Sequence, residues 1–462
     1  MFDALFTTTT EYKKLSHALS GKGACALFGL PASGRAQMYA ALCRQLDKPL
    51  CIVTPGEAEA TRFAADLNTL GIPAAVFPAR DYVLRPIEGT AREYEYRRLA
   101  VLGELVGGRL RAVAVPAEAL TQFTTPKEDF CANTRTLHAG DTLLRDDLLA
   151  ALFGAGYTRP APGDGPGQFS VRGDIVDIFA PDQKMPVRME FWGDEIDTLH
   201  TFDLTTQRRE DAIDKFYLSP AREVLFGKPA DAAEQLRAFL AKQRGKKKTA
   251  MADCMAADLD LLDGGAVPVN MDKYLAVRYP HPATVLDYFD DPILVAEEPA
   301  SIREADRATA YRRGEELKSL ILDGVLCAGL DNLYADPSYL WSKTGHYRTI
   351  CAENFARSMP DQPLKDIINA LAHTLPAWNG EVAGLLEDLK PLCDAGYTVT
   401  LLAGTDRAAA GMSITPTSRS TCAIKAFWLP PMLQQPPLPG WCRFWRGTFP
   451  LGANFRLPSM LC

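Results

Sequence analysis

The chain has 462 residues, with 50 Lys and Arg against 57 Asp and Glu for a formal charge of −7, and 47% of its residues are hydrophobic. That composition is globular, about three domains at roughly 150 residues each, and excludes disorder, collagen or coiled coil over most of the length. The mild acidity excludes a surface that is a nucleic-acid footprint throughout, while leaving room for a local basic patch.

From Tyr12 to about Leu120, strand-like and helix-like segments alternate. Ala24–Gly29 reads as a buried strand, Arg35–Leu46 as a helix, Leu50–Thr54 as a strand and Glu57–Leu70 as a helix. Strands follow at Ala74–Phe77 and, after a long Arg92–Val106 helix, at Arg111–Val115. Such alternation predicts a parallel sheet covered on both faces, a nucleotide-binding type of topology. A second unit opens near Thr124-Thr125-Pro126 with a helical run, Leu143–Phe153, and a Gly/Pro-rich break at Ala161–Gly167. Phe169–Arg172, Asp174–Phe179 and Val187–Trp192 then alternate with period two up to a turn at Gly193-Asp194, the mark of antiparallel strands in a small α+β domain. Thr206 to about Tyr347 is more helical. A last unit is expected to combine helices at Pro363–Leu375 and Glu381–Ala395 with a strand at Tyr397–Leu402. Past Gly411 the composition changes to Pro-rich text ending at Cys462, which suggests a cut chain or a damaged reading frame.

The first strand runs into Gly29-Leu30-Pro31-Ala32-Ser33-Gly34-Arg35-Ala36, where a phosphate-binding loop GxxxxGK(S/T) would stand. Such a loop needs backbone N–H groups around the phosphates, a Lys reaching the terminal ones and a hydroxyl on magnesium. Arg35 replaces the Lys, Ala36 supplies no metal ligand and Pro31 removes a donor, so the loop reads as degenerate. The matching acid, at the end of a later strand, is Glu297, followed by Glu298; without the loop's Lys and hydroxyl such a pair is more often a solvated strand end. Asp194-Glu195-Ile196-Asp197 matches a helicase DExD string but follows a hairpin turn, and is taken as coincidence. The run Lys242–Lys248 (KQRGKKK) supplies clustered cations of the kind that contact DNA, and reads also as an exposed helix end. Six scattered histidines have no ligand spacing, so no metal site is expected. Ser33 and Ser170 lack a nucleophile-elbow context, and no catalytic residue is expected.

Eleven cysteines, from Cys25 to Cys462, form no CxxC pair, and the opening Met1–Phe6 lacks a basic region followed by an apolar run. No apolar stretch reaches the roughly 20 residues that span a bilayer. The expectation is a cytoplasmic chain with reduced thiols and no membrane partner.

The most specific pattern is Gly167-Gln168-Phe169-Ser170-Val171-Arg172-Gly173-Asp174-Ile175-Val176-Asp177-Ile178-Phe179, then Val187-Arg188-Met189-Glu190-Phe191-Trp192-Gly193-Asp194-Glu195-Ile196, Phe202-Asp203 and Thr206-Gln207-Arg208. It resembles the small second domain shared by the excision-repair protein UvrB and the N-terminal part of bacterial transcription-repair coupling factors, and the likeness runs from about Leu15 to Gly404. A UvrB would carry an intact loop ending Gly-Lys-Thr and a Tyr-rich hairpin, whereas here Phe77–Tyr82 passes through Ile87-Glu88-Gly89-Thr90 straight into the next helix. The coupling factor is the better match.

The resemblance implies a multidomain α/β protein: a degenerate P-loop (RecA/UvrB-like) parallel-sheet domain, an inserted small α+β domain that binds UvrA, and a further C-terminal α/β domain. The corresponding divisions are 1–122 (domain 1a), 123–207 (UvrA-interaction domain), 208–347 (domain 1b) and 348–462 (domain 3). It places the UvrA contact on Arg172, Arg188, Phe191 and Trp192, the last a Trp where Phe is commoner, which keeps the apolar anchor and enlarges it. RNA polymerase, double-stranded DNA, ATP and Mg2+ belong to translocase and polymerase-binding domains beyond these residues. The implied function is a non-catalytic adaptor that recruits UvrA in transcription-coupled excision repair. The alternatives are a weak ATP- or DNA-dependent enzyme working through Arg35 and Glu297, and a UvrA surface masked against another domain of a longer protein.

Overall fold

A computed structural model describes residues 7–86, 92–159, 165–359, 362–370 and 372–374, and beyond these only 387, 389–391, 394–395, 400–403, 425–428 and 453–455. In chain order the first part comprises helix α1 (Thr10–Ala18), strand β1 (Gly23–Phe28), α2 (Ala32–Leu46), β2 (Leu50–Thr54), α3 (Glu57–Thr69), β3 (Ala74–Val76), α4 (Glu93–Val106) and β4 (Ala112–Pro116). The small unit adds β5 (Arg135–His138), α5 (Arg145–Gly154), β6 (Gln168–Arg172), β7 (Ile175–Phe179), β8 (Val187–Trp192), β9 (Glu195–Phe202), β10 (Arg209–Ala212) and β11 (Lys215–Leu218). The chain then returns through α6 (Pro229–Ala241), α7 (Gly245–Asp263), β12 (Ile293–Glu297), α8 (Pro299–Leu322), β13 (Arg348–Glu353) and β14 (Leu364–Asn369).

Seven strands form one sheet in the order β14-β1-β13-β12-β2-β4-β3, every pair parallel. A parallel pair requires a crossover, and the crossovers cover both faces, which is why β2, β4 and β12 are buried at every residue. One face packs Leu15, Tyr39 and Phe63 from α1, α2 and α3 against Cys25, Ile52 and Val295. The other packs Leu99 and Leu102 from α4 against Val53, Val115 and Leu294.

The small unit is a five-stranded antiparallel sheet, order β10-β9-β8-β7-β6, with α5 on one side. Its incoming and outgoing strands, β5 and β11, pair antiparallel from Arg135↔Leu218 to Lys215↔His138, so the unit leaves and rejoins the larger domain at one place. The α/β architecture, with an antiparallel module inserted in a parallel-sheet protein, is as the resemblance implied.

Two expectations near the C-terminal part are corrected. Leu364–Asn369 is a strand, not the start of a Pro363–Leu375 helix; Leu364, Ile367 and Ile368 have helical spacing, but the open edge of β1 offers hydrogen-bond partners that local propensity does not outweigh. A register shift between Ala24 and Ala26 admits the extra residue, leaving Ile368 buried and Ile367 exposed. In addition, β13 and β14 flank β1 in the central sheet, so the unit expected to open at 348 begins with strands of the first domain. The expected strand at Tyr397–Leu402 is present as Thr400–Ala403. Ile87–Thr90, most of the expected Glu381–Ala395 helix and the Pro-rich stretch after Leu429 lie outside the described residues.

Where the two units meet, charges are buried in a closed network. Arg98 is fully buried on α4 and gives Nε and Nη2 to Glu223 at 2.6 and 3.2 Å. Arg80 gives two nitrogens to Asp272 at 2.7 and 3.2 Å and its Nε lies 3.2 Å from Glu223. Glu95 accepts the Glu223 backbone N–H at 3.0 Å and pairs with Arg92 at 2.8 Å. Burial alone would raise the Glu95 carboxyl, but Arg80 and Arg92 outweigh it and hold it at about 2.

Candidate functional site: the outward face of the small sheet

Alternation along β6 to β9 sends Phe169, Val176, Ile178, Val187, Met189 and Leu199 inward against Leu148 and Leu152 of α5. The opposite face carries Arg172, Asp177, Arg188 and Glu190, with Asp177 directly across from Arg188 and Ile175 from Glu190. Between β8 and β9 the register steps from Glu190↔Thr198 to Phe191↔Ile196, leaving Asp197 as the extra residue. That bulge lets Ile196 and Leu199, three apart, both face the core. Gly193, at φ +64°, turns the chain between the paired Trp192 and Glu195 at the hairpin tip.

Arg188 is the best-anchored side chain of this face. Its Nε and Nη2 donate to the two Asp177 oxygens at 2.7 and 2.9 Å, and Nη2 also donates to Gln207 Oε1 at 3.1 Å. Its guanidinium carbon lies 4.5 Å from the centroid of the Phe202 ring. The hydrogen bonds to Asp177 hold its charge more firmly than usual. Arg172 Nη2 reaches the same carboxylate, Asp177 Oδ2, at 3.3 Å from a side chain that is 62% exposed. Two guanidinium groups therefore share one buried carboxylate, and the uncompensated positive charge sits at the solvent end, on Arg172. Trp192, 82% exposed, projects from the same face two positions beyond Glu190, the residue that lies across β7 from Arg172. A partly paired cation and an exposed indole on one face suit a partner that offers an acidic group and an apolar one.

Of the four residues expected to make the contact, the structure places Arg172 and Trp192 outward and accessible, and Arg188 outward but engaged by Asp177. Phe191 is corrected: it is 6% exposed and belongs to the core beneath the sheet, because it is the inward neighbour of Trp192 on the same strand. The residues that sequence reasoning passed over as part of the site are Asp177, which orients both arginines, and Gln207, held at φ +58°. Their signal was present in the pattern itself, an Asp at an outward-facing strand position and a Gln in the Thr-Gln-Arg turn.

The degenerate phosphate loop is filled from within. Gly29 has φ +85°, and a β-carbon there would lie 2.0 Å from the Ala370 carbonyl oxygen, so the segment after β14 closes over it. Gly34 and Ala36 are buried in the first turns of α2. Arg35, 3% exposed, does meet the acids at the end of β12: Nε lies 3.0 Å from Glu297 and Nη1 2.9 Å from Glu298. The Tyr39 hydroxyl donates to Glu297 at 2.5 Å. Burial, against the pull of Arg35, pushes the Glu297 carboxyl up to about 7. These residues do not fit a magnesium nucleotide: the loop cation is already paired with the acids that would face the metal, Ala36 has no hydroxyl, and Ala370 backbone stands over the turn.

Asp194 and Glu195 lie at the hairpin turn and the start of β9, not at the end of a parallel strand, so the DExD string has no helicase setting. Among the described residues no group of three or more His, Cys, Asp or Glu is placed to hold a metal, and no helix is long and apolar enough to cross a membrane.

The family model described as the UvrB interaction domain matches residues 136–224, the span that holds β6 to β9. The matched span runs past the expected end at 207 and closes after β11, in agreement with the β5–β11 pairing. Over a larger span the relatives are transcription-repair-coupling factors. That of Bacillus subtilis (strain 168) is 24% identical over 387 residues, covering 81% of this chain and 33% of the relative. That of Staphylococcus aureus (strain MRSA252) is 25% identical over 305 residues, covering 64% of this chain and 26% of the relative. The chain thus spans about a quarter to a third of the length of the curated relatives it matches.

Proposed function

We propose that this chain is a non-catalytic adaptor that docks UvrA through the outward face of the small sheet and so links excision repair to transcription. The observation that carries the reading is the coincidence of the UvrB interaction domain, residues 136–224, with a face where a half-neutralised Arg172 and a fully presented Trp192 stand on a rigid antiparallel scaffold. In this reading Arg172 and Trp192 touch the partner, while Arg188, Asp177 and Gln207 are positioning residues. RNA polymerase, duplex DNA, ATP and magnesium are assigned to the portion of the longer relatives that this chain does not cover. The filled phosphate loop supports a scaffolding role for the parallel sheet.

The test is the affinity of purified UvrA for the 462-residue chain and its variants, by interferometry. Truncating a central anchor costs about 2 kcal/mol, or about thirtyfold in Kd, so Arg172→Ala and Trp192→Ala should each weaken binding to that extent. Phe191→Leu, which changes only the core, should leave the Kd of the folded protein unchanged. Absence of binding by the parent, or binding indifferent to Arg172 and Trp192, overturns the proposal.

A further inference from the structure

The basic run left unabsorbed by the small domain lies at the turn between α6 and α7. Lys242, Arg244, Lys246, Lys247 and Lys248 place five positive charges within seven residues, in a chain whose remainder carries −12. All five are exposed, and none is in an ion pair among the described residues. Nearby cations behave differently: Arg237 on α6 pairs with Asp263 at the end of α7, and Lys273, in the turn 271–274 after α7, pairs with Asp258.

Fold stability does not account for the cluster. Lys242 ends α6, where a cation suits the helix dipole, but Lys246, Lys247 and Lys248 occupy the first turn of the 19-residue α7. Arg244, at the cap position, makes no side-chain cap, and the first turn holds no acidic residue. Three lysines there oppose the macrodipole, and Arg244 and Lys248, four apart, add like-charge repulsion. An anion seated on the turn would relieve both effects.

From this charge complementarity we infer that the α6–α7 turn is a docking surface for the phosphodiester backbone of duplex nucleic acid. Lysines are flexible point charges that neutralise phosphates without reading bases. The patch has no exposed aromatic on which single-stranded bases could stack: Phe239 is half-buried against the helical core and Met251 is fully buried. The same lack of an apolar anchor disfavours a protein hot spot or insertion into a lipid surface. The inference stands apart from the UvrA reading, since it uses no residue of the small sheet.

The experiment is fluorescence anisotropy of a labelled 20-base-pair duplex titrated with the 462-residue chain over a range of salt. Four to five phosphate contacts predict a log–log slope of binding constant against salt of about −4. The triple variant Lys246→Glu, Lys247→Glu, Lys248→Glu should bind at least tenfold more weakly. A charge-matched control, Lys13→Glu, Lys14→Glu, Lys22→Glu, changes exposed lysines on and after α1 and should stay within threefold of the parent. Glutamates suit a helix N-terminus, so the patch variant should melt above the parent, which separates lost binding from unfolding. Should it melt lower, the corresponding triple Gln variant removes the charge alone and must still lose binding. No binding by the parent, equal losses in patch and control variants, or competition by polyglutamate or phosphatidylserine vesicles as effective as unlabelled duplex, overturns the inference.

Discussion

Replacing Glu297 by Gln tests whether burial of the acid behind the old phosphate loop outweighs its pairing with Arg35. Glu297 is buried beside Arg35 at 3.0 Å and accepts from Tyr39 at 2.5 Å, and burial pushes its carboxyl from 4.5 to about 7. The folded state therefore holds this proton more tightly than the unfolded state does. Its contribution to stability is fully present below pH 4.5, is lost as the pH rises through 7, and is constant above that. A shift of that size corresponds to about 3 kcal/mol. In Glu297→Gln the amide oxygen still accepts from Tyr39, and Arg35 keeps Glu298 at 2.9 Å, so no cation is orphaned. Urea unfolding of parent and variant at half-unit steps from pH 4.5 to 8.5 should show the difference between them moving by about 3 kcal/mol in the variant's favour as pH rises. A difference that stays constant across the range refutes the claim that burial outweighs the pull of Arg35 on this carboxyl.

The other expected outcomes are read with the same unfolding assays. Glu95, held at about 2 chiefly against burial by Arg80 and Arg92, contributes about 3 kcal/mol that is present above pH 4.5 and lost as the pH falls through 2. Glu95→Gln should lower stability at pH 7 by that amount and match the parent near pH 2. Phe191→Ala should cost about 3–5 kcal/mol as a core cavity, whereas Trp192→Ala should stay within about 0.5 kcal/mol while losing UvrA affinity. Gly29→Ala meets the Ala370 carbonyl at 2.0 Å on a left-handed backbone and should cost at least about 2 kcal/mol.

Elements with a strong period were legible in the amino-acid sequence. Leu50–Thr54 and Val187–Trp192 appear with the bounds their pattern predicted, and Glu57–Thr69 differs by one residue. The small domain could be read because alternation, turn glycines and its long residue pattern all pointed the same way. The helix expected at Pro363–Leu375 failed because the competing partner, the free edge of β1, lies more than 300 residues earlier in the chain. The same limit applied to the site: alternation tells which residues share a face, but the sign of that face depends on which side α5 covers. Trp192 and Phe191 looked like a pair of anchors in sequence, and packing made one a surface and the other core.

Residue type and period are enough for the layered α/β class, the antiparallel insert and the loss of the phosphate-loop lysine and hydroxyl, since all of these are local facts. Which charged side chains meet is a matter of the folded chain: Arg35 is spent on Glu297 and Glu298, Asp177 is shared by Arg172 and Arg188, and Arg98 and Glu223 are buried together at the domain junction. The reason is that a charge is tolerated inside only with a specific partner. Partners such as Arg35 and Glu297, or Arg98 and Glu223, are brought together by the fold from positions more than a hundred residues apart.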